Sequence, residues 1–284
     1  MADVALEFVA APPCVANHVS LFYNFRAAGP CFEDTERAQI AQLRLRLTPG
    51  SATYRFADGN EQRASDYHVM GPTSGVSRIR AEGEVHVFGL GITPAGWAAI
   101  VGSDASAMLN RIVDASVLFG DRLDVAANAL RAAPDMAAMV EIGRALVHDL
   151  VLDHSGTAVA FMRKVDDWLA ACPSPDVEVL VCATGLSRRQ VERRCNALYG
   201  APPKLLARKY RALKAAVALV SGVKTMDELL DCGFYDQSHL IREIKQFTGM
   251  TPGQIRADPH TLAKMTIGKR VELADIVSPL ISGT

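Results

Sequence analysis

One feature constrains this chain more than any other: shifted by 49 residues, the stretch Val177 to Pro203 falls on Met226 to Pro252 with the same apolar pattern. Val177, Leu180 and Val181 coincide with Met226, Leu229 and Leu230. Val191, Cys195 and Leu198 coincide with Leu240, Ile244 and Phe247. Gly200 and Pro203 coincide with Gly249 and Pro252. A repeat of this length is one supersecondary unit used twice, and each copy spells helix, tight turn, helix, stop. Ser187 with Gln190, and Thr225 with Glu228, are capping boxes, in which a hydroxyl and a carboxyl or amide satisfy each other's backbone N–H. Asp236 is an N-cap for the second helix of the second copy. The segment Pro203 to Val220 is the helix that joins the copies.

At about 100° per residue, Val191, Cys195 and Leu198 share one helix face, and Arg189, Glu192, Arg193 and Asn196 take the opposite one. The phase is the same in copy two: Leu240, Ile244 and Phe247 point inward, Ser238, Ile241, Arg242 and Lys245 outward, with Gln237 and His239 on the flanks. A charged helix face is commonly no more than a solvated face. Two copies in matching phase, each held by a short turn and exposing Arg, Asn, Gln or Ser, fit the reading of base edges in two adjacent major grooves.

Charge distribution agrees. The net charge of −1 over 284 residues conceals a division: all eight lysines lie at or beyond Lys164, and residues 156–265 carry 16 Lys+Arg against 11 Asp+Glu. The remaining residues carry 14 against 20. A regional basic excess is the footprint of a polyanion-binding domain. Length alone suggests about two domains, and the small polar break His154-Ser155-Gly156-Thr157 puts the boundary between residues 1–155 and 156–265, with a tail at 266–284. The tail has apolar Val271, Leu273, Ile276, Val277, Leu280 and Ile281, suited to packing on either domain. Cys14, Cys31, Cys172, Cys182, Cys195 and Cys232 have neither disulfide-framework nor zinc spacing. That pattern, and an N-terminus without a signal-peptide core, suit the cytoplasm. Val85 to Gly102 contains no Asp, Glu, Lys or Arg, but its glycines and Pro94 make it a buried strand, a turn and a helix start at Trp97 rather than a membrane span.

The first domain is expected to be β-rich, then helical. Leu43, Leu45 and Leu47 alternate with Arg44 and Arg46, the period of a half-buried strand within Ile40–Leu47. Ser51–Phe56, Arg63–Met70, Val76–Arg80 and Val85–Ile92 follow as strands between turn pairs such as Asp58-Gly59 and Glu82-Gly83. Helical patterns then cover Trp97–Val101, Ser106–Phe119, Leu123–Leu130 and Met136–Leu152. The whole is an α+β chain: a β-rich N-terminal domain with trailing helices, then an all-α domain of two helix-turn-helix units.

Residues 160–265 resemble the DNA-binding domain of the AraC/XylS family of bacterial transcription regulators. The resemblance is carried most by Cys232-Gly-Phe-Tyr-Asp-Gln-Ser-His-Leu-Ile-Arg-Glu-Ile-Lys-Gln-Phe-Thr-Gly-Met-Thr-Pro-Gly-Gln-Ile-Arg256. Thr184-Gly-Leu-Ser-Arg-Arg-Gln-Val-Glu-Arg-Arg-Cys-Asn-Ala-Leu-Tyr-Gly200 matches the more variable first unit. Cys232 stands where small Ala is usual, and Leu240 and Ile244 where Phe is frequent; these are apolar exchanges within a core. The resemblance implies base contacts from Arg189, Glu192 and Arg193, and from Gln237, Ser238 and Arg242. With neighbouring residues on the helices and the joining segment, the expected DNA-binding set is Ser187, Arg188, Arg189, Glu192, Arg193, Asn196, Lys209, Gln237, Ser238, His239, Arg242 and Lys245. Lys209 is expected to hold phosphate, so that its loss weakens all sequences alike.

The resemblance also implies that the first domain binds a small effector or dimerises. Tyr54, Tyr67, His68, His86 and Trp97 are candidate pocket residues, with ordinary core as their alternative role. His68 and His86 lack metal-ligand spacing. G-x-S-x-G, P-loop and H-E-x-x-H motifs do not occur, nor does a G-x-G-x-x-G leading into a helix, so a catalytic first domain fused to a DNA reader has no positive support. No metal or cofactor is expected. The expected partners are double-stranded DNA, a small-molecule effector, a second copy of the chain, and RNA polymerase if the regulator activates.

Overall fold

Strand β2 (Val19–Ala27) is buried on both faces, which sets the layers of the first half of the molecule. Its side chains alternate between two cores. Phe22 enters one with Leu43, Leu45, Phe88 and Leu90; Leu21, Tyr23 and Phe25 enter the other with Phe32, Tyr54, Ile79 and Val85. The computed structural model that shows this describes residues 4–152, 156–257 and 262–271. The proposed linker residues His154 and Ser155, and the apolar side chains of the tail from Val271 onward, lie outside the described residues.

The remaining strands are β1 (Val4–Ala10), β3 (Cys31–Glu36), β4 (Gln42–Arg46), β5 (Ser51–Phe56), β6 (Glu61–Ala64), β7 (Tyr67–Met70), β8 (Ser77–Glu82), β9 (Val85–Ile92) and β10 (Ile112–Asp114). They form two antiparallel sheets, β1-β2-β9-β4-β7-β10 and β3-β8-β5-β6. One face of the larger sheet packs on the smaller sheet, and the other on helices α3 (Arg122–Ala132) and α4 (Met136–Leu150) through Leu123, Leu130, Leu146 and Val147.

Several expectations are corrected here. Strands β1 to β3 precede the first one expected, because polar Glu33, Asp34 and Glu36 blur the alternation of β3 and the continuous apolar run of β2 has no period. Arg63–Met70 divides into β6 and β7. The expected helix Ser106–Phe119 is instead a single turn, Ala105–Met108, then β10, then a short helix α2 (Ala115–Phe119) capped by Asp114. Most informative is β4, which is buried on both faces rather than half-buried. Arg44 and Arg46 lie inside because each is held by several acceptors. Arg44 pairs with Glu36 at 3.0 Å. Arg46 donates to the carbonyls of Thr48, Ser51 and Glu82 at 3.1, 2.9 and 2.7 Å. Gly50, at φ +149°, must be glycine, since a Cβ there would stand 2.1 Å from Arg46 Nη2.

After β9 the chain turns through α1 (Pro94–Gly96), capped by Thr93, into one wide helical turn, Trp97–Val101, closed by the Gly102 N–H on the Trp97 carbonyl at 2.9 Å. The second half is helical: α5 (Thr157–Ala171), α6 (Val177–Thr184), α7 (Arg188–Tyr199), α8 (Pro203–Val220), α9 (Met226–Leu230), α10 (Gln237–Thr248), α11 (Pro252–Ala257) and α12 (Leu262–Val271). The first unit has its own core of Phe161, Val165, Trp168, Leu180, Val191 and Cys195. The second is built on Leu229, Phe234, Leu240, Ile244 and Ile255. The N-terminal part of α8 packs into the first core and its C-terminal part into the second.

Gly143 in α4 offers a direct test of the sheet–helix packing. An added Cβ would stand 2.7 Å from Phe22 Cε1 and 2.9 Å from Phe88 Cζ. Helix propensity alone favours Gly143→Ala by about 1 kcal/mol, whereas overpacking a closed core costs about 1 to 3 kcal/mol. We expect the variant to be less stable than the parent in urea denaturation; a gain in stability would mean the aromatic pair is loosely packed.

Candidate nucleic-acid interface

The local chemistry that starts each second helix is in place. Ser187 and Gln190 form the capping box of α7, and Gln190 Oε1 accepts from the Ser187 N–H at 2.9 Å. Asp236 Oδ1 accepts from the His239 N–H to cap α10 at 2.6 Å. Both helices end on a glycine in the left-handed region, Gly200 at φ +73° and Gly249 at φ +79°. These two glycines also touch the first half: Gly200 lies against Pro72 and Ala105, and Gly249 against Thr35 and Val76. The stops that the repeat displays therefore serve as docking points as well.

The apolar stripes face inward as the periodicity requires. Val191, Cys195, Leu240, Ile244 and Phe247 are all fully buried, and burial pushes the Cys195 thiol up to about 12. On the opposite faces Arg189, Glu192, Arg193, Gln237, Ser238, Arg242 and Lys245 are exposed, and Asn196 is half-buried. Neither polar face is covered by the first half of the molecule.

Four members of the expected set have structural duties. Ser187 is engaged as a cap. Arg188 is held by Glu178, with Nε 2.9 Å from Oε1. The His239 ring accepts from the Tyr235 N–H at 3.1 Å through Nδ1, sits edge-on to Phe234, and approaches Glu243 Oε1 at 3.2 Å through Nε2. The clearest correction is Lys209: it is 7% exposed and donates to the carbonyls of Gln39 and Thr73 in the first half, at 2.6 and 3.1 Å. A lysine that satisfies two buried carbonyls does not reach phosphate in this arrangement. Its helix packs on the β-rich half through Ala212 and Leu213, which meet Ala38 and Phe247, and that turns the Lys209 side of α8 inward. Tyr235, absent from the expected set, is 93% exposed immediately before the N-cap of α10. An exposed aromatic next to the N-terminus of the second helix of the second unit was the signal available for it.

What fixes α10 against α8 is one buried carboxylate. Glu243 accepts from Arg208 Nε at 2.7 Å and from Arg211 Nη2 at 2.7 Å. Arg211 in turn lies over the Phe234 ring, 4.9 Å from its centroid. Burial alone would raise the Glu243 carboxyl; the hydrogen bonds and charges of Arg208 and Arg211 outweigh it and hold the carboxyl below its usual range. In the first unit, the Asp166 carboxyl is pushed up by burial to about 7, with Tyr199 Oη 3.3 Å away.

Of the five candidate effector residues, Tyr54 and His68 come together, with ring centroids 5.8 Å apart, and the other three lie elsewhere. Tyr54 lines a cavity between the two sheets. Tyr67 is packed against the other core. His68 is buried, bonded to the Ser65 carbonyl at 2.9 Å, and held neutral by burial and the charge of Arg44, which bring it down to about 3. His86 meets Asn24 Oδ1 at 2.9 Å and is lowered by burial, then by Arg26, to about 4. Trp97 is core, its indole N–H donating to the Ser103 carbonyl at 2.6 Å. Among the cavity's polar residues, Glu36, Gln42 and Arg44 lie on strands whose facing the alternation did not reveal. Among the described residues no cluster of three or more potential metal ligands occurs, and no helix is long and apolar enough to cross a membrane.

The family model of a helix-turn-helix domain matches residues 180–258. No curated protein matches the chain in sequence. Among solved structures, ToxT from Vibrio cholerae in an apo variant form is 8% identical, over 84% of this chain and 96% of that one, with a TM-score of 0.49. The unsaturated-fatty-acid-bound form of ToxT is 9% identical over 89% and 94%, at 0.42. The AraC-like transcriptional activator CuxR is 13% identical over 69% and 76%, at 0.30.

Removing the Glu243 carboxylate leaves buried Arg211 without its partner, a change that typically costs about 3 to 5 kcal/mol. We expect Glu243→Ala to lose stability of that order in urea denaturation at pH 7. Because the folded carboxyl titrates below its unfolded counterpart, its contribution is complete above pH of about 4.3 and disappears as the pH falls through the folded value. The difference between parent and variant should therefore shrink in acid, and a pH-independent difference would contradict the clamp. With both capped helices exposed and the family match in hand, residues 180–258 are a helix-turn-helix domain of the AraC type.

Proposed function

We propose that α7 and α10 enter two successive major grooves on one face of DNA, and that the β-rich half controls whether they do so. The observation that carries this reading is the shared scaffold: both helices expose their polar faces while packed on opposite ends of α8. Arg189, Arg193 and Asn196 in the first helix, and Gln237, Ser238 and Arg242 in the second, are the base readers. Arg suits guanine, and Asn or Gln suits adenine. Glu192 accepts from cytosine N4 or orients a neighbouring arginine. Lys245, and Tyr235 through its hydroxyl, contact the backbone. The site of action is the cytoplasm, and RNA polymerase is the further partner in an activating mode.

Control is supported by three sets of contacts between the halves. Lys209 bonds to the Gln39 and Thr73 carbonyls, the Ala38 N–H donates to the Phe247 carbonyl at 2.7 Å, and α12 bridges the halves. Leu262 and Thr266 of α12 wall the cavity between the sheets, while Ala263 and Ile267 of the same helix enter the core of the second unit. A ligand or a second copy of the chain that favours one arrangement of these contacts shifts the population able to dock both helices.

Arg193→Ala and Arg242→Ala should each weaken specific binding by about 1 to 3 kcal/mol and relax preference at one base position, each at a different position. Lys209→Met should leave the dependence of log affinity on log salt unchanged, because it releases no counterion. Equal losses on specific and random duplexes from both arginine variants would sink the assignment.

A further inference from the structure

The cavity between the sheets has a charge balance that restricts what it accepts. It measures about 60 Å³ and is walled by apolar side chains, among them Leu6, Leu21, Phe25, Phe32, Ile79 and Val87. Its only charged lining residues among those described are Arg44 and Glu36. These two neutralise each other. Arg44 Nη1 is 3.0 Å from Glu36 Oε1, and Nη2 donates to Oε2 at 3.0 Å. Arg44 spends two further N–H groups on Gln42 Oε1 at 2.9 Å and on Tyr54 Oη at 2.8 Å. Four of its five donors are thus engaged, and both partners are buried.

An anionic ligand entering here would bring a second carboxylate to a guanidinium that Glu36 already holds, in a setting of low dielectric. Burying a charge without a free counter-charge is strongly unfavourable, and two carboxylates at one site repel. A neutral ligand meets no such penalty. Tyr23, Gln39, Gln42 and Thr266 also line the cavity, but the Tyr23 and Thr266 hydroxyls donate to Gln42 Oε1 and the Ala263 carbonyl; Tyr54 is the lining hydroxyl whose oxygen accepts from Arg44 and which donates no hydrogen bond among the described residues. Burial first, then Glu36, pushes its phenol up against the opposing charge of Arg44, to about 12, so it stays a donor. Space of about 60 Å³ holds roughly four water-sized centres at the usual requirement for one water. A bicyclic molecule therefore has to press outward on a wall, and the wall without sheet hydrogen bonds is α12, at Leu262 and Thr266.

We propose that this cavity is a ligand site for a neutral, largely apolar small molecule bearing one hydrogen-bond acceptor, seated with that acceptor on Tyr54. The assignment rests on the effector reading given above and names the chemical class of the effector. It excludes carboxylates, although Arg44 lines the site.

Calorimetric titration of the full chain with a matched pair tests it: 2-acetylnaphthalene, a neutral ketone, and 2-naphthoate, which has the same ring and carbonyl but carries a charge. The ketone should bind at least about tenfold more tightly, which is about 1.4 kcal/mol. Glu36→Gln, which releases Arg44, should move the preference toward naphthoate, and Val87→Phe should abolish ketone binding while a thermal melt confirms folding. The comparison within the parent protein does not depend on either variant folding. Equal or tighter binding of naphthoate to the parent, or no binding of either compound, overturns the proposal. Measuring DNA affinity with and without the ketone separates the two readings. Ketone binding that leaves DNA affinity unchanged upholds the ligand class and rejects control by that ligand.

Discussion

Helix α8 is buried along most of its length, and the placement of both reading helices follows from that burial. Its first turns complete the core beneath α7 and its last turns the core beneath α10. The polar clamp of Glu243 on Arg208 and Arg211 then fixes the rotation of α10 about it. A buried carboxylate held by two guanidiniums adds little net stability over an apolar substitute, but it tolerates no other geometry. Geometry is what two-groove reading demands, because half-sites repeat at the DNA helical period whatever the protein does.

The β-rich half uses buried charge in the same way and for a different end. Arg44, Arg46 and Lys209 are each inside, and each is satisfied by a carboxylate or by backbone carbonyls. Arg46 ties β4 to the turns after β8 and before β5; Lys209 ties the whole β-rich half to α8. The contacts between the halves are thus a mixture of separate apolar patches, around Phe247, at Ala95 against the first-unit core, at Gly200 and Gly249, and at Leu262 of α12, and a few directed hydrogen bonds. An interface of that kind shifts with modest differences in free energy, which suits control by population shift.

The helical half was legible in the sequence because its signals are local and periodic. The caps at Ser187, Thr225 and Asp236 and the stripes Val191–Cys195 and Leu240–Ile244–Phe247 stand where the repeat puts them, and the joining helix begins at Pro203 and ends at Val220. The β-rich half was only partly legible. A strand buried on both faces loses the polar–apolar period that identifies it, as in β2. In β4 the arginines restored a false period, since alternation reports residue type and cannot tell an arginine in water from one paired with Glu36. Lys209 misled for a related reason: a basic residue in the joining segment suits phosphate, but only the docking of the β-rich half determines that it meets carbonyl oxygens instead. His86 and Trp97 were residues of the right kind for a pocket, yet each is consumed by one side-chain or backbone partner, whereas His68 spends Nδ1 on the Ser65 carbonyl and lies against Tyr54.

The claim on which the rest depends is that one chain holds two reading helices at a fixed separation. Selection of bound duplexes from a random DNA pool by the intact protein measures it most directly. The account predicts an enriched site of two short blocks with centres about one helical turn, 10 to 10.5 base pairs, apart. A single enriched block, or two blocks whose spacing varies freely among the selected sequences, would contradict it.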